Sequence, residues 1–145
     1  MRIARVGNVG EEKPAVATDV EYILVDSLIS DWSRESLEAG AIERVAAADL
    51  TKLPRINKGS IRIGPPIDRP TKVICVGLNY LGHIKETNAD TPAEPVIFMK
   101  APDSVVGPND DIVIPPSSLA TDYEVELAIV IGKRALYLEL SLIHI

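Results

Sequence analysis

Cysteine is almost missing from this chain: Cys75 is the only one in 145 residues. One cysteine cannot form an internal disulfide, which fits a reducing compartment, and at Cys75 the side chain reads as a small buried hydrophobe. Long apolar runs are missing too. The longest, residues 127–131, falls far short of the about 20 residues a membrane span needs. The opening Met1-Arg2-Ile3-Ala4-Arg5 lacks the apolar core of a signal peptide. Basic clusters are absent. Fifteen Lys and Arg stand against 21 Asp and Glu, and the net charge of −6 speaks against nucleic acid, whose binding depends on cationic patches. There is no internal repeat and no low-complexity segment. These absences predict a soluble, cytoplasmic protein that binds neither nucleic acid nor membrane, leaving small polar substrates and a metal ion open.

The chain is 46% hydrophobic and 25% charged, which places it among globular rather than disordered sequences. Its length suits one ordinary domain, or a small one plus part of another. Short strands are predicted at residues 2–6, 15–18 and 22–25, broken by Gly7, Gly10 and Pro14. Residues 31–53 change to helical spacing. Asp31 or Ser33 can cap a helix, Gly40 interrupts it, and Ile42, Val45, Ala46 and Leu50 form a second stripe. Trp32, the only tryptophan, is expected to pack beside this helix. Residues 54–71, with four prolines, read as a linker containing a short strand at 61–63. Beyond it, residues 73–76 form a near-continuous apolar strand, expected to be buried on both faces. Residues 81–87 suit a short helix, and residues 94–100 and 112–114 suit strands.

Two constellations carry chemistry. The first is Asp122-Tyr123-Glu124-Val125-Glu126-Leu127-Ala128-Ile129-Val130-Ile131-Gly132, read as one strand closed by glycine. Alternation puts Tyr123, Val125, Leu127, Ile129 and Ile131 on one face. Glu124, Glu126, Ala128 and Val130 share the other. The two carboxylates then stand about 6.5–7 Å apart along the backbone and can converge on one hard cation. Two glutamates on a solvated face are the ordinary alternative. The apolar continuation through Ala128 and Val130 favours a place where a buried face opens to water.

The second is His83 with Glu86, at i and i+3 directly after the apolar strand. On a helix they share one face. A carboxylate beside an imidazole orients it and suits it to general-base work near neutral pH. Alone, such a pair is usually an exposed contact of little worth. His83 is the only histidine besides His144.

Four blocks occur in order: Val73-Ile74-Cys75-Val76-Gly77-Leu78-Asn79-Tyr80-Leu81-Gly82-His83, Glu94-Pro95-Val96-Ile97-Phe98-Met99-Lys100, Val106-Gly107-Pro108-Asn109-Asp110 and Asp122-Tyr123-Glu124-Val125-Glu126-Leu127. Together they resemble the fumarylacetoacetate hydrolase family, especially bacterial members with a small N-terminal domain. The resemblance is strong over residues 72–137 and looser over residues 1–70.

The resemblance implies an α+β, mostly β fold. A small N-terminal α/β domain with its linker would occupy residues 1–68, and the first part of a catalytic β-roll residues 69–139. It implies Mg²⁺ or Mn²⁺ held by Glu124 and Glu126, with a later Asp and a substrate-binding Lys downstream of this chain's end. It makes His83 and Glu86 the dyad that activates water, on a lid-like segment, and leaves Asn79 and Tyr80 as junction residues. The implied reaction is C–C bond cleavage in acylpyruvate or 2,4-dioxo acid substrates, by a homodimer when full length. An oxaloacetate-type decarboxylase or a 2-hydroxy-diene-dioate isomerase would use the same parts, and a non-catalytic β-domain would use none of them. The 145-residue chain by itself is expected to be inactive, with too few metal ligands. Its last six residues, Leu140-Ser141-Leu142-Ile143-His144-Ile145, depart from the family. They match the translation of a transposon-end sequencing adapter, so His144 is expected to have no function.

Overall fold

Period-two alternation in the first 25 residues does produce strands. The computed structural model describes residues 1–139; the tail expectation for residues 140–145 lies outside the described residues. Contacts divide the chain into two units, Arg69–Val106 and a larger one made of Met1–Asp68 with the stretch from Gly107 onward. In the larger unit β1 (Ile3–Val6), β2 (Lys13–Ala17), β3 (Glu21–Leu24) and β4 (Arg55–Asn57) form an antiparallel sheet in that order. Ala4 faces Ala15 across the first pair, and Val16 faces Ile23 across the second. Val16 packs with Val25, Ile29 and Trp32 in one cluster, while Ala4, Val6, Ala15, Tyr22 and Leu24 form another. Burying such faces supplies roughly 25 cal/mol per Å² of apolar surface, the main force holding the sheet.

β4 lies inside the stretch read as a linker. Three residues are too few to display alternation, so only their pairing with β3 reveals the strand. The strand expected at 61–63 is reduced to a single antiparallel bridge, Val6 to Ile63. Backbone bonds flank it: Gly7 N–H to Arg62 O at 3.0 Å and Gly64 N–H to Arg5 O at 2.8 Å.

α1 (Arg34–Glu38) starts at Ser33, whose Oγ accepts the Ser36 N–H at 3.3 Å. Gly40, with φ +78°, turns the chain into α2 (Ala41–Ala47), a conformation glycine adopts at little cost. Leu37, Ala41 and Val45 are buried and join the cluster around Trp32. Trp32 is fully buried and its indole N–H donates to Ala15 O at 3.2 Å. Trp32→Phe removes that donor and part of the packing. It is expected to cost about 1–3 kcal/mol, seen as a lower urea midpoint in far-ultraviolet circular dichroism at unchanged slope.

The smaller unit contains β5 (Val73–Gly77), α3 (Leu81–Glu86) and β6 (Val96–Lys100), with a 3₁₀ turn at Pro102–Ser104. β5 and β6 pair antiparallel, Val73 against Lys100 and Gly77 against Val96. The expectation of burial on both faces of residues 73–76 does not hold: Ile74 is 58% exposed, Cys75 is only part-buried, and β6 is exposed throughout. An apolar run records what a strand is able to bury. A two-stranded sheet with one short helix beside it in the chain does not bury both faces of either strand.

Two further expected strands are absent. Residues 112–114 and 122–132 form none, and no strand among the described residues pairs with them. Alternation selects a face, but a strand also needs a neighbour to take its N–H and C=O groups. Strand exceeds helix over the described residues, and no sheet closes into a barrel. No helix among them is long and apolar enough to cross a membrane.

Candidate active site

α3 places His83 and Glu86 one turn apart, as their spacing requires. His83 Nδ1 lies 4.0 Å from Glu86 Oε2, an ion-pair approach longer than a hydrogen bond. Catalytic contacts are often this loose before substrate binds. The His83 side chain is 46% exposed and that of Glu86 82%, whereas Ile84 between them is buried and anchors the helix. Both ends of this segment turn through left-handed backbone: Leu78 has φ +51° and Asn88 φ +54°. Asn88 closes the helix, and Ala89 N–H reaches back to Ile84 O at 3.1 Å. Leu78 has no such helix-ending role. A branched residue in this region costs of order 1–3 kcal/mol, and such strain gathers at functional sites. Tyr80 stands at the N-cap of α3 without capping it through its side chain.

Glu124 and Glu126 belong to the larger unit, and both are exposed. The expected strand that was to aim them together is absent. Its apolar face is open instead: Tyr123, Val125, Leu127, Ile129 and Ile131 are all strongly exposed. No cluster of three or more His, Cys, Asp or Glu suited to a metal occurs among the described residues. Two carboxylates offer the hard oxygen donors that Mg²⁺ takes, but they do not complete its near-octahedral shell. The described donor set therefore does not fit a finished metal centre. The dyad and the glutamate pair lie in different units, so each stands by itself. An open depression of about 400 Å³ beside Ser30, Ser36 and Arg44 includes none of these four residues.

Sequence reasoning missed an ion-pair cluster in the larger unit. Arg5, buried in β1, holds both oxygens of Asp31 at 2.8 Å and Asp68 Oδ1 at 3.1 Å, with Glu12 Oε2 at 3.7 Å. Burial pulls the Arg5 guanidinium down, but the Asp31 hydrogen bonds and the charges of Asp31, Asp68 and Glu12 outweigh it and leave it raised. Arg62 joins Glu12 at 2.8 Å to both oxygens of Asp110. Burial pushes Glu12 up, yet the bond from Arg62, backbone N–H donors and the Arg5 charge hold it below the usual carboxylate range. Asp110 is lowered as well, first by Arg62 and then by the Gly107 N–H. The one local signal was Arg5 itself, a charge among the buried positions of an apolar strand.

Residues 72–139 match the family pattern described as fumarylacetoacetate (FAA) hydrolase C-terminal. The chain belongs to the fumarylacetoacetate hydrolase family. The mitochondrial oxaloacetate tautomerase FAHD2A of Bos taurus is 45% identical over 107 residues, covering 72% of this chain and 34% of that protein. The 2,4-didehydro-3-deoxy-L-rhamnonate hydrolase of Sphingomonas sp. is 39% identical over 135 residues, covering 92% of this chain and 45% of that one. Among solved structures, fumarylacetoacetate hydrolase from Exiguobacterium antarcticum superposes with a TM-score of 0.53 at 30% identity, covering 73% of this chain and 37% of its own. The chain thus spans about a third to a half of the family members it matches. All four residues singled out above lie inside the matched region, and the relatives named are enzymes.

Proposed function

We propose that this sequence serves a metal-dependent hydrolase that cleaves a C–C bond in 2,4-dioxo acids of the acylpyruvate type. The observation that carries the reading is the His83–Glu86 pair on α3, within the stretch that matches the family. Glu86 faces Nδ1, so a proton on Nδ1 is the tautomer it favours, which leaves Nε2 free to accept. His83 Nε2 takes a proton from water, and the hydroxide adds to the distal carbonyl. The C–C bond then breaks to give a carboxylic acid and an enolate, and the imidazolium returns its proton to the enolate carbon. Mg²⁺ or Mn²⁺, when bound, supplies charge stabilisation for the keto acid. Glu124 and Glu126 are proposed as two of its ligands, and the residues described here provide no third.

A second reading has specific support. Relatives at 45% identity are named oxaloacetate tautomerases. Keto–enol exchange needs the same base and no attack by water, as an oxaloacetate decarboxylase or a diene-dioate isomerase would also dispense with it. The test places residues 1–139 in a chain of family length and compares acylpyruvate cleavage with the decay of oxaloacetate enol absorbance. Cleavage supports the hydrolase, enol decay alone supports an enzyme acting on oxaloacetate, and neither removes both readings. In the same protein Glu126→Gln is expected to weaken Mn²⁺ binding by about tenfold or more in titration calorimetry, because one charged oxygen ligand is lost. Unchanged affinity would remove Glu126 from the metal site.

A further inference from the structure

The Gly107-Pro108-Asn109-Asp110 turn has no part in the proposed chemistry, yet it is tightly built. Asp110 Oδ2 accepts the Gly107 N–H at 2.7 Å, and the Asp110 N–H returns to Gly107 O at 3.1 Å. A Cβ on Gly107 would meet Ile63 O at 2.2 Å, so the turn lies with its backbone against residue 63. That residue bridges to Val6 of β1. Arg62 stands at the junction. Its Nε and Nη2 take the two oxygens of Asp110, while Nη1 takes Glu12 Oε1 at 2.8 Å and Gly7 O at 3.1 Å. A planar guanidinium matches a carboxylate in this two-point way, which a lysine does not. Residues 111–131, which follow this turn, form no strand.

We propose that Arg62 is a positioning residue: it clamps the start of the segment bearing Glu124 and Glu126 onto the N-terminal sheet. The small N-terminal domain is then a working part of the site. The clamp stands on geometry alone; its service to the glutamates rests on the function proposed above. An ordinary stabilising role for Arg62, exerted through Glu12 and Gly7 on the sheet, is the competing account.

Hydrogen–deuterium exchange of the 145-residue chain, read by mass spectrometry at low concentration, separates the two. Arg62→Gln is expected to speed exchange of a peptide covering residues 105–112 by about tenfold or more, since the turn that holds the Gly107 and Asp110 amides loses its anchor. Peptides from β2 and β3 should stay within about twofold of the unaltered chain. Asp110→Asn should reproduce this, and the double variant should add nothing, because the two act as one unit. Arg62→Lys keeps the charge without the fork and should protect only in part. Should Arg62→Gln fail to fold, Asp110→Asn reads the same clamp from its other side. Exchange of residues 105–112 unchanged in Asp110→Asn overturns the clamp, as does equal acceleration of β2 and β3 in that variant. Neither result touches the hydrolase reading, and a failed hydrolase assay leaves the clamp intact.

Discussion

His83→Ala, in a family-length chain carrying this sequence, is expected to lower kcat by about 10²–10⁴ with divalent-metal affinity unchanged. The size follows from the general-base role proposed for the imidazole. It is the only histidine among the described residues, and its Nδ1 lies 4.0 Å from Glu86 Oε2. The loss should not come from unfolding. His83 is half exposed, the burial on α3 belongs to Ile84, and alanine is the better helix former. The Thr87 contacts that close the helix use the His83 carbonyl and survive the substitution. Steady-state kinetics with an acylpyruvate and Mn²⁺ calorimetry decide the matter together. A kcat within about threefold of the unaltered enzyme would exclude His83 as the general base. A parallel loss of metal binding would make it a ligand instead. Glu86→Gln should cost less than His83→Ala, since it loosens the base without removing it.

Arg5→Met is expected to destabilise the larger unit by about 3–5 kcal/mol, the usual consequence of removing one partner from a buried ionic group. The Arg5 side chain is 7% exposed and faces Asp31, Asp68 and Glu12, the last itself only 5% exposed. Methionine fills much of the volume but leaves those carboxylates without their central cation. On a unit this small the melting temperature, followed by Trp32 fluorescence, should fall by roughly 10 °C or more. A shift below about 2 °C would show that the cluster relaxes into water. Replacing Asp31 by Leu in the same chain should recover part of the loss, since fewer charges remain unpaired.

Acid gives an independent reading of the same cluster. Glu12 and Asp110 are held below their ordinary values, so the stability they contribute is present above about pH 4.5, near the unfolded carboxylate values. It is lost as pH falls through their depressed folded values. In Arg5→Met the stranded carboxylates gain from protonation, so the gap between the variant and the unaltered chain should narrow below about pH 4.

The sequence alone determined what depends on neighbours along the chain. Alternation marked β1, β2 and β3; Ser33 and Gly40 bounded α1; residues 73–100 displayed the β5, α3 and β6 order. Spacing placed His83 beside Glu86, because i and i+3 meet on any helix. The ordered blocks from Val73 to Leu127 were enough to mark the family, since order and spacing survive where single motifs are ambiguous. What tertiary structure decided depends on partners far away in sequence. β4 exists only because β3 offers it an edge. The alternating apolar face from Tyr123 to Ile131 has the pattern of a strand, but none of the described strands pairs with it, so it is not one. Burial of β5 likewise required a covering layer that no local pattern can specify. Arg62 meets Asp110 across 48 positions, and Arg5 meets Asp68 across 63. Side-chain periodicity encodes a face, whereas hydrogen-bond and charge partners are set only when the chain closes on itself.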